Sequence, residues 1–423
     1  MTPGLVRRLA TERVRVTDRP DPRLLLAAGV VSIAVLIGLI ATYIDLLLTG
    51  GAGAHQSDFV AYYSGARLVW TDHAVDLYNF HSLGTLQAGL VHPLHVRDGV
   101  LPFVYPPFFA MLLAPLSALP LTPAYLAWLA VNVSLLAVTL AALARMAGLG
   151  GRSQILFGVV SLSFLPVFVS LTQGQTATLL LVFVTACFLA LIAGHDAAAG
   201  AALGLVLIKP PYVLPLLLVL VLRTRWKALI AFAATTTFLI AIPAVLLSRN
   251  ILGAYLHTLT RAMAWREQFG YGPTLNHSLA GFTQLLLHPA PAAAAQWALA
   301  ALVVVALIAI VRKMESIEVA LAYAAVAALL ISPHVLIHDL SLLLLPAAVA
   351  LRCRAAYRPA LTAILVLGYI AVLVGPTVMR ATHVQLTVLA MLAFAWWLAA
   401  IPGAPGRSGS ERSELPAVID SNS

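Results

Sequence analysis

Long apolar runs alternate with short polar links along almost the whole chain. The first run covers residues 24–48. Others follow at about 106–119, 123–145, 154–171, 174–194, 198–222, 228–248, 293–311, 316–331, 335–351, 359–375 and 383–401. A helix of about 20 apolar residues spans a bilayer and satisfies its own backbone hydrogen bonds there. The pattern therefore predicts an all-α polytopic membrane protein with roughly twelve transmembrane helices. Pro106, Pro107, Pro115, Pro210, Pro211 and Pro215 break several runs, which predicts half-helices or re-entrant pieces lining a cavity. A simple alternation would put the polar TQGQT turn at 172–176 inside. Broken spans move it to the outer face, and that is the arrangement expected.

The polar remainder divides the chain. Residues 1–23 are basic and read as a cytoplasmic tail, without a signal-peptide cleavage site. Residues 24–401 form the membrane domain. Residues 50–105 are its first extracytoplasmic loop, where Phe59, Tyr62, Tyr63, Ala66 and Val69 recur at helical spacing. That spacing predicts one or two amphipathic helices lying on the outer surface. A second outer loop, 249–292, carries Arg261, Arg266 and Glu267, and residues 402–423 read as a disordered tail.

Composition agrees with the pattern. Of 423 residues, 61% are hydrophobic and 10% charged, against about 25% charged in a soluble domain. The net charge of +9 does not point to nucleic acid, because the basic residues cluster between apolar runs. The clusters Arg223/Arg225/Lys227, Arg312/Lys313 and Arg352/Arg354/Arg358 should share the cytoplasmic face. Cys187 and Cys353 lie in unrelated settings, so no disulfide is expected. There is no P-loop, GxSxG, CxxC or GxGxxG motif, and no internal repeat.

Ionisable groups beside a bilayer are costly and so mark candidate sites. Asp58 stands at the head of the first loop helix, either as an N-cap or as a general base. Lys209, in LIKPPY, either snorkels or binds a phosphate at the broken helix. In SPHVLIHDLS, His334 and His338 are four residues apart and would share a helical face beside Asp339. A zinc site lacks a third ligand there, so contact with a polar substrate or a phosphate is expected. Gln173 and Gln175 either tie helices together or bind sugar hydroxyls, and the same two readings apply to Asn276. Tyr105 reads as an interfacial belt residue or a site residue.

The order SDFVAYYSGARLV, DLYNF, FVYPPFFAMLLAPLSALP, TQGQTATLLL, LGLVLIKPPYVLPLLLVLVLRTRW, TLNHSL and SPHVLIHDLSLLLLPA resembles bacterial glycosyltransferase family 87 over roughly residues 25–400. The resemblance implies a GT-C-type fold in the bacterial cytoplasmic membrane, with the site on the extracytoplasmic side. It implies inverting transfer of a hexose, mannose in the best-known members, from a polyprenyl-phosphate donor to a lipid or glycan acceptor. Asp58 would be the base. Lys209, His338, His334 and Arg67 would face the donor phosphate. Gln173, Gln175, Tyr62, Tyr63, Tyr105, Asn276 and Asp339 would face sugar or acceptor. No cofactor is implied, and nothing in the motifs requires a divalent metal. Two other classes stay open: a proton-coupled transporter or flippase of a lipid-linked sugar, and a membrane scaffold.

Overall fold

The structure is a computed structural model that describes residues 22–48, 53–262, 264–265, 268–314, 316–352 and 357–400. The basic tail through residue 21, the tail from residue 401, Arg266, Glu267, Cys353 and Arg354 lie outside the described residues.

Among the described residues every regular element is a helix. Five are long and apolar enough to cross a membrane: Leu26–Asp45, Leu121–Met146, Trp226–Leu246, Pro289–Lys313 and Arg358–Thr382. A sixth candidate is the pair Arg152–Ser163 and Leu165–Thr172, bent by 64°. The bend falls where Pro166 cannot donate to the preceding turn. The other apolar runs are shorter, including Ala177–Ile192, Ile317–Ile331 and Leu386–Ala400. Ile33, Ile37, Ile40 and Ile44 on the first helix, and Ile230, Phe238 and Val245 on the Trp226–Leu246 helix, are exposed. Apolar side chains turned outward around long helices form the surface a bilayer would cover.

Two apolar cores hold the bundle. The larger surrounds the Ile317–Ile331 helix, whose residues from Val319 to Leu330 are all buried. The smaller surrounds the helix Phe59–Trp70 and includes Phe103, Phe109 and Trp128. A helix apolar on every side belongs inside a protein. This corrects the expectation for the first helix of the first loop. Phe59–Trp70 does not lie amphipathically on the surface, because Phe59 to Ala66 are buried without interruption. One-sided burial belongs instead to the second helix of that loop, Phe80–Val91, which buries only Leu83, Gln87 and Val91, and to the helix Ile251–Ala262, which buries only Ile251, Tyr255, Thr258 and Ala262.

The run 198–222 is broken as its prolines predict. Asp196–Leu205 ends in a 3₁₀ turn, Lys209 is extended (φ −133°, ψ 81°), and a second 3₁₀ turn leads into Val213–Leu222. Residues before proline are driven out of the helical region. The first half packs against Trp226–Leu246 through Gly200 and Gly204. A Cβ on Gly200 would lie 1.9 Å from the Ala228 carbonyl oxygen. Small residues four apart let two apolar helices meet backbone to backbone.

The polar ends separate cleanly. At one end Arg223 donates to the Met314 carbonyl, Arg225 pairs with Asp196 at 3.4 Å, and Arg352 pairs with Glu318 at 2.6 Å. Basic links from different spans thus share one face, as charge patterning predicts. The TQGQT turn is tied instead to the first loop, through Asp58 and Phe59. It therefore lies on the face of that loop, as the broken-span arrangement requires.

Candidate active site

The site begins at the head of the Phe59–Trp70 helix. Asp58 occupies the N-cap position, but its side chain makes no capping bond. Its Oδ2 accepts from Gln175 Nε2 at 2.5 Å, and its backbone N–H donates to Gln173 Oε1 at 3.2 Å. The Gln175 Oε1 accepts from the Tyr62 hydroxyl at 2.5 Å, and Tyr62 lies 2.9 Å from the Tyr105 hydroxyl. Because Tyr62 claims the carbonyl of Gln175, the amide NH₂ is turned toward Asp58. Burial, and then the neighbouring Tyr105 and Asp58, raise the Tyr62 hydroxyl well above its ordinary range, so it stays a donor.

The TQGQT turn needs its glycine. Gly174 has φ +64°, and a Cβ there would approach the Phe59 Cβ to 2.9 Å. Trp128 Nε1 donates to the Gly174 carbonyl at 2.7 Å. The turn is therefore a rigid shelf that presents both glutamines to the same loop.

Lys209 lies on the seam of the two cores, between Ile208 of the smaller and Tyr212 of the larger. It donates to Asp339 Oδ1, and the two side chains are 11% and 4% exposed. Asp339 was expected among the groups facing sugar or acceptor; it is instead the partner of Lys209. The physical reason is that a buried ammonium requires an anion, and the chain supplies one itself. Asp339 Oδ2 also accepts from the Leu336 N–H at 3.2 Å. Ile208, the residue before Lys209, packs in the core around the Phe59–Trp70 helix that Asp58 heads, which ties the Lys209–Asp339 pair to the same core as Asp58.

His334 and His338 do not share a helical face, because residues 332–336 are not helical and a 3₁₀ turn starts at Ile337. His338 Nε2 is 3.6 Å from Asp339 Oδ1 and fully within the protein. His334 stacks on Tyr271, ring centroids 4.3 Å apart, and its Nε2 is buried without a hydrogen bond. His334 lies in the link outside the helices, and burial lowers its pKa to about 4, against an opposing pull from Asp339 and with Lys209 adding to the effect. It meets any ligand at neutral pH as a neutral imidazole, not as a cation.

Asn276 is engaged by the fold. Its Oδ1 accepts from the N–H of Ser278 and of Val335 at 3.2 and 3.0 Å and from Ser278 Oγ at 2.8 Å, and its Nδ2 donates to the Pro333 carbonyl. It clamps the 276–278 loop to the link that carries His334, and does not face the site as a sugar ligand. Arg67 and Tyr63 also stand apart. Arg67 donates to the Ser117 carbonyl at 2.9 Å and Tyr63 to the Leu119 carbonyl at 2.7 Å. Nine residues at about 100° each put Arg67 on the opposite side of the helix from Asp58. The phase, not the element, excludes Arg67 from the phosphate side.

Sequence reasoning missed Tyr212, whose buried hydroxyl lies beside Asp339 and Ser332 and makes no hydrogen bond of good geometry. Its place three residues after Lys209, across the two prolines, was the available signal. Tyr271 had none. Among the described residues no group of three or more His, Cys, Asp or Glu is disposed to hold a metal ion.

Residues 103–333 match the sequence profile of Glycosyltransferase family 87. The chain is also similar to proteins named Alpha-(1->3)-arabinofuranosyltransferase in two strains of Mycobacterium tuberculosis, 26% identical over 180 residues. That alignment covers 40% of this chain and 40% of each relative. No solved structure matches the chain.

Proposed function

Because this chain belongs to glycosyltransferase family 87, we propose that it transfers one sugar from a polyprenyl-phosphate donor to a lipid-linked or glycan acceptor, with inversion. The carboxylate of Asp58 takes the acceptor hydroxyl proton as the new O–C1 bond forms. The bond from C1 to the phosphate oxygen breaks, and the phosphate leaves with the electron pair. Lys209, shared with Asp339, offsets the charge that develops on the phosphate. A base of this kind contributes about 10²–10⁴ to the rate.

The observation that carries this reading is the pairing of two unlike polar centres across one seam. Asp58 is held by Gln175 rather than used as a helix cap, and Lys209, paired with Asp339, follows Ile208 of the core that the Asp58 helix enters. A base and a cation at one site are what attack and departure require. The site opens to the extracytoplasmic side of a bacterial cytoplasmic membrane in this reading. The broken apolar pieces complete a GT-C-type fold of roughly twelve crossings. The sugar is a hexose, mannose first. Arabinofuranose is the second reading, favoured by the name of the relatives. Four acids, Asp58, Asp72, Asp76 and Asp98, lie in the first loop, and this concentration together with the lack of internal repeats argues against a transporter.

The test is transfer in vesicles supplied with labelled polyprenyl-phosphate mannose or polyprenyl-phosphate arabinofuranose. A product of opposite anomeric configuration, absent with Asp58→Asn, is the expected result. Retention of configuration overturns the mechanism.

A further inference from the structure

Four polar side chains stand in a line behind Asp58, and the line has a direction. A hydroxyl carries one hydrogen, and an amide oxygen carries none. Gln175 Oε1, 2.5 Å from the Tyr62 hydroxyl, can only accept, so the Tyr62 hydrogen is committed to it. Tyr62 has no second hydrogen to give, so its oxygen accepts from the Tyr105 hydroxyl at 2.9 Å. The Tyr105 oxygen accepts in turn from Thr176 Oγ1 at 3.3 Å. The line therefore runs one way, from Thr176 through Tyr105 and Tyr62 to Gln175, whose amide donates to Asp58 Oδ2.

The fold holds each member in place. Tyr62 and Thr176 are buried. The Tyr105 ring meets Tyr62 edge-on, centroids 4.9 Å apart, and lies 5.4 Å from the Phe109 ring. The Tyr78 hydroxyl donates to the Tyr105 carbonyl at 2.8 Å, which pins the backbone just before Pro106 and Pro107. Thr176 and Gln175 are neighbours in the TQGQT turn, so the line leaves that shelf at one residue and returns to it at the next.

We infer that Tyr105 is a positioning residue of the transfer, acting on Asp58 through Tyr62 and Gln175. The inference rests on the transferase reading of Asp58. An amide shows its neighbour either N–H donors or an oxygen, and the two treat a carboxylate oppositely. The Gln175 N–H stabilises the ionised form, which is the base, whereas the Gln175 oxygen would favour the protonated acid. Hydrogen bonds in series strengthen one another. Tyr105 makes Tyr62 the stronger donor, and Tyr62 keeps the Gln175 carbonyl turned away from Asp58. The Tyr105 hydrogen is spent on Tyr62, so this residue serves the base and has no O–H to offer a sugar.

The test removes one hydroxyl at a time from the full-length enzyme and keeps each side chain's shape. With KM unchanged, kcat should fall about tenfold in Tyr62→Phe, about threefold in Tyr105→Phe and less than about twofold in Thr176→Val, as links farther from the charge count for less. Burial predicts another order. Thr176 is 0% exposed and Tyr105 is half-buried, so a packing role would make Thr176 the costlier loss. In a Gln175→Leu background, Tyr62→Phe and Tyr105→Phe should lower kcat no further. Full losses in that background, or losses in the order of burial, overturn the inference. Infrared titration gives a reading independent of transfer. The carboxyl band absent from Asp58→Asn should titrate about one pH unit higher in Tyr62→Phe, because a carboxylate that loses a firm donor holds its proton more tightly. The shift should be smaller in Tyr105→Phe, and an unmoved midpoint in Tyr62→Phe overturns the inference. The other titratable groups of the region stay in place in every variant: His55, Tyr125 against Phe59, Tyr271 stacked on His334, and the Lys209–Asp339 pair. If the wild type transfers no sugar, the transferase reading fails, and the titration still decides the role of Tyr105.

Discussion

The two polar faces of this protein use the same residue types to different ends. On one face Arg352 and Glu318 pair at 2.6 Å with 43% and 24% of their side chains exposed. On the seam of the cores Lys209 and Asp339 pair with 11% and 4% exposed. The first pair sits in high dielectric, where water and salt replace it at little cost. The second is desolvated, so each member depends on the other. The basic face is patterned by where charge is tolerated beside a membrane. The seam is where charge has been carried inward against its desolvation cost, which makes it the candidate site.

Five substitutions, one of them made only in combination, break or sharpen this comparison. The largest effect is expected at Asp58. Asp58→Asn should lower transfer by about 10²–10⁴ while thermal unfolding in detergent stays close to wild type. A mutant within tenfold of wild type would falsify the base assignment. Next comes the buried pair. Lys209→Met leaves Asp339 alone and should cost roughly 3–5 kcal/mol of stability, read as a lower unfolding temperature. Adding Asp339→Leu should restore much of that stability and none of the transfer. A double variant that regains activity reduces the pair to a structural role. Gln175→Leu releases the Asp58 carboxylate from its orienting amide and should cost up to about 10² in kcat, with the fold intact. Equal losses in kcat and in protein yield would show that Gln175 serves folding instead. The smallest effect belongs to the basic face. Arg352→Ala should change stability by less than about 1 kcal/mol and leave transfer as it was, and a large loss of transfer would erase the contrast between the faces.

His334 adds a check on proton chemistry. Its imidazole is held neutral down to about pH 4 by burial. Between pH 5 and 8 it binds no further proton, so His334→Asn should leave the shape of the transfer pH profile unchanged over that range. A lost inflection near pH 6.5 would show that His334 titrates there after all.

Much of the fold was legible because lipid imposes a simple rule. Apolar runs become helices, prolines break them, and arginines gather on one face. Lys209 stands out as a candidate because it is an ionisable group in an apolar run, and Asp58 because it heads a loop helix. The failures have a common cause as well. Arg67 was placed by element and not by helical phase, and His334 and His338 were given a helix that the non-helical 332–336 link does not form. The partner of Lys209 could not be read, because nothing local to residue 209 names a carboxylate 130 positions away.

The sequence by itself determined the helical class, the broken spans and the short set of groups able to do chemistry. These follow from composition and from local backbone preference, which act over a few residues. Tertiary structure decided which of those groups meet. Gln175 turns its amide to Asp58 only because Tyr62 holds its carbonyl. Asn276 is a clamp and not a ligand because four bonds to neighbouring loops already engage it. Direction and partnership of a polar side chain are set by everything packed around it, and that is a property of the folded bundle.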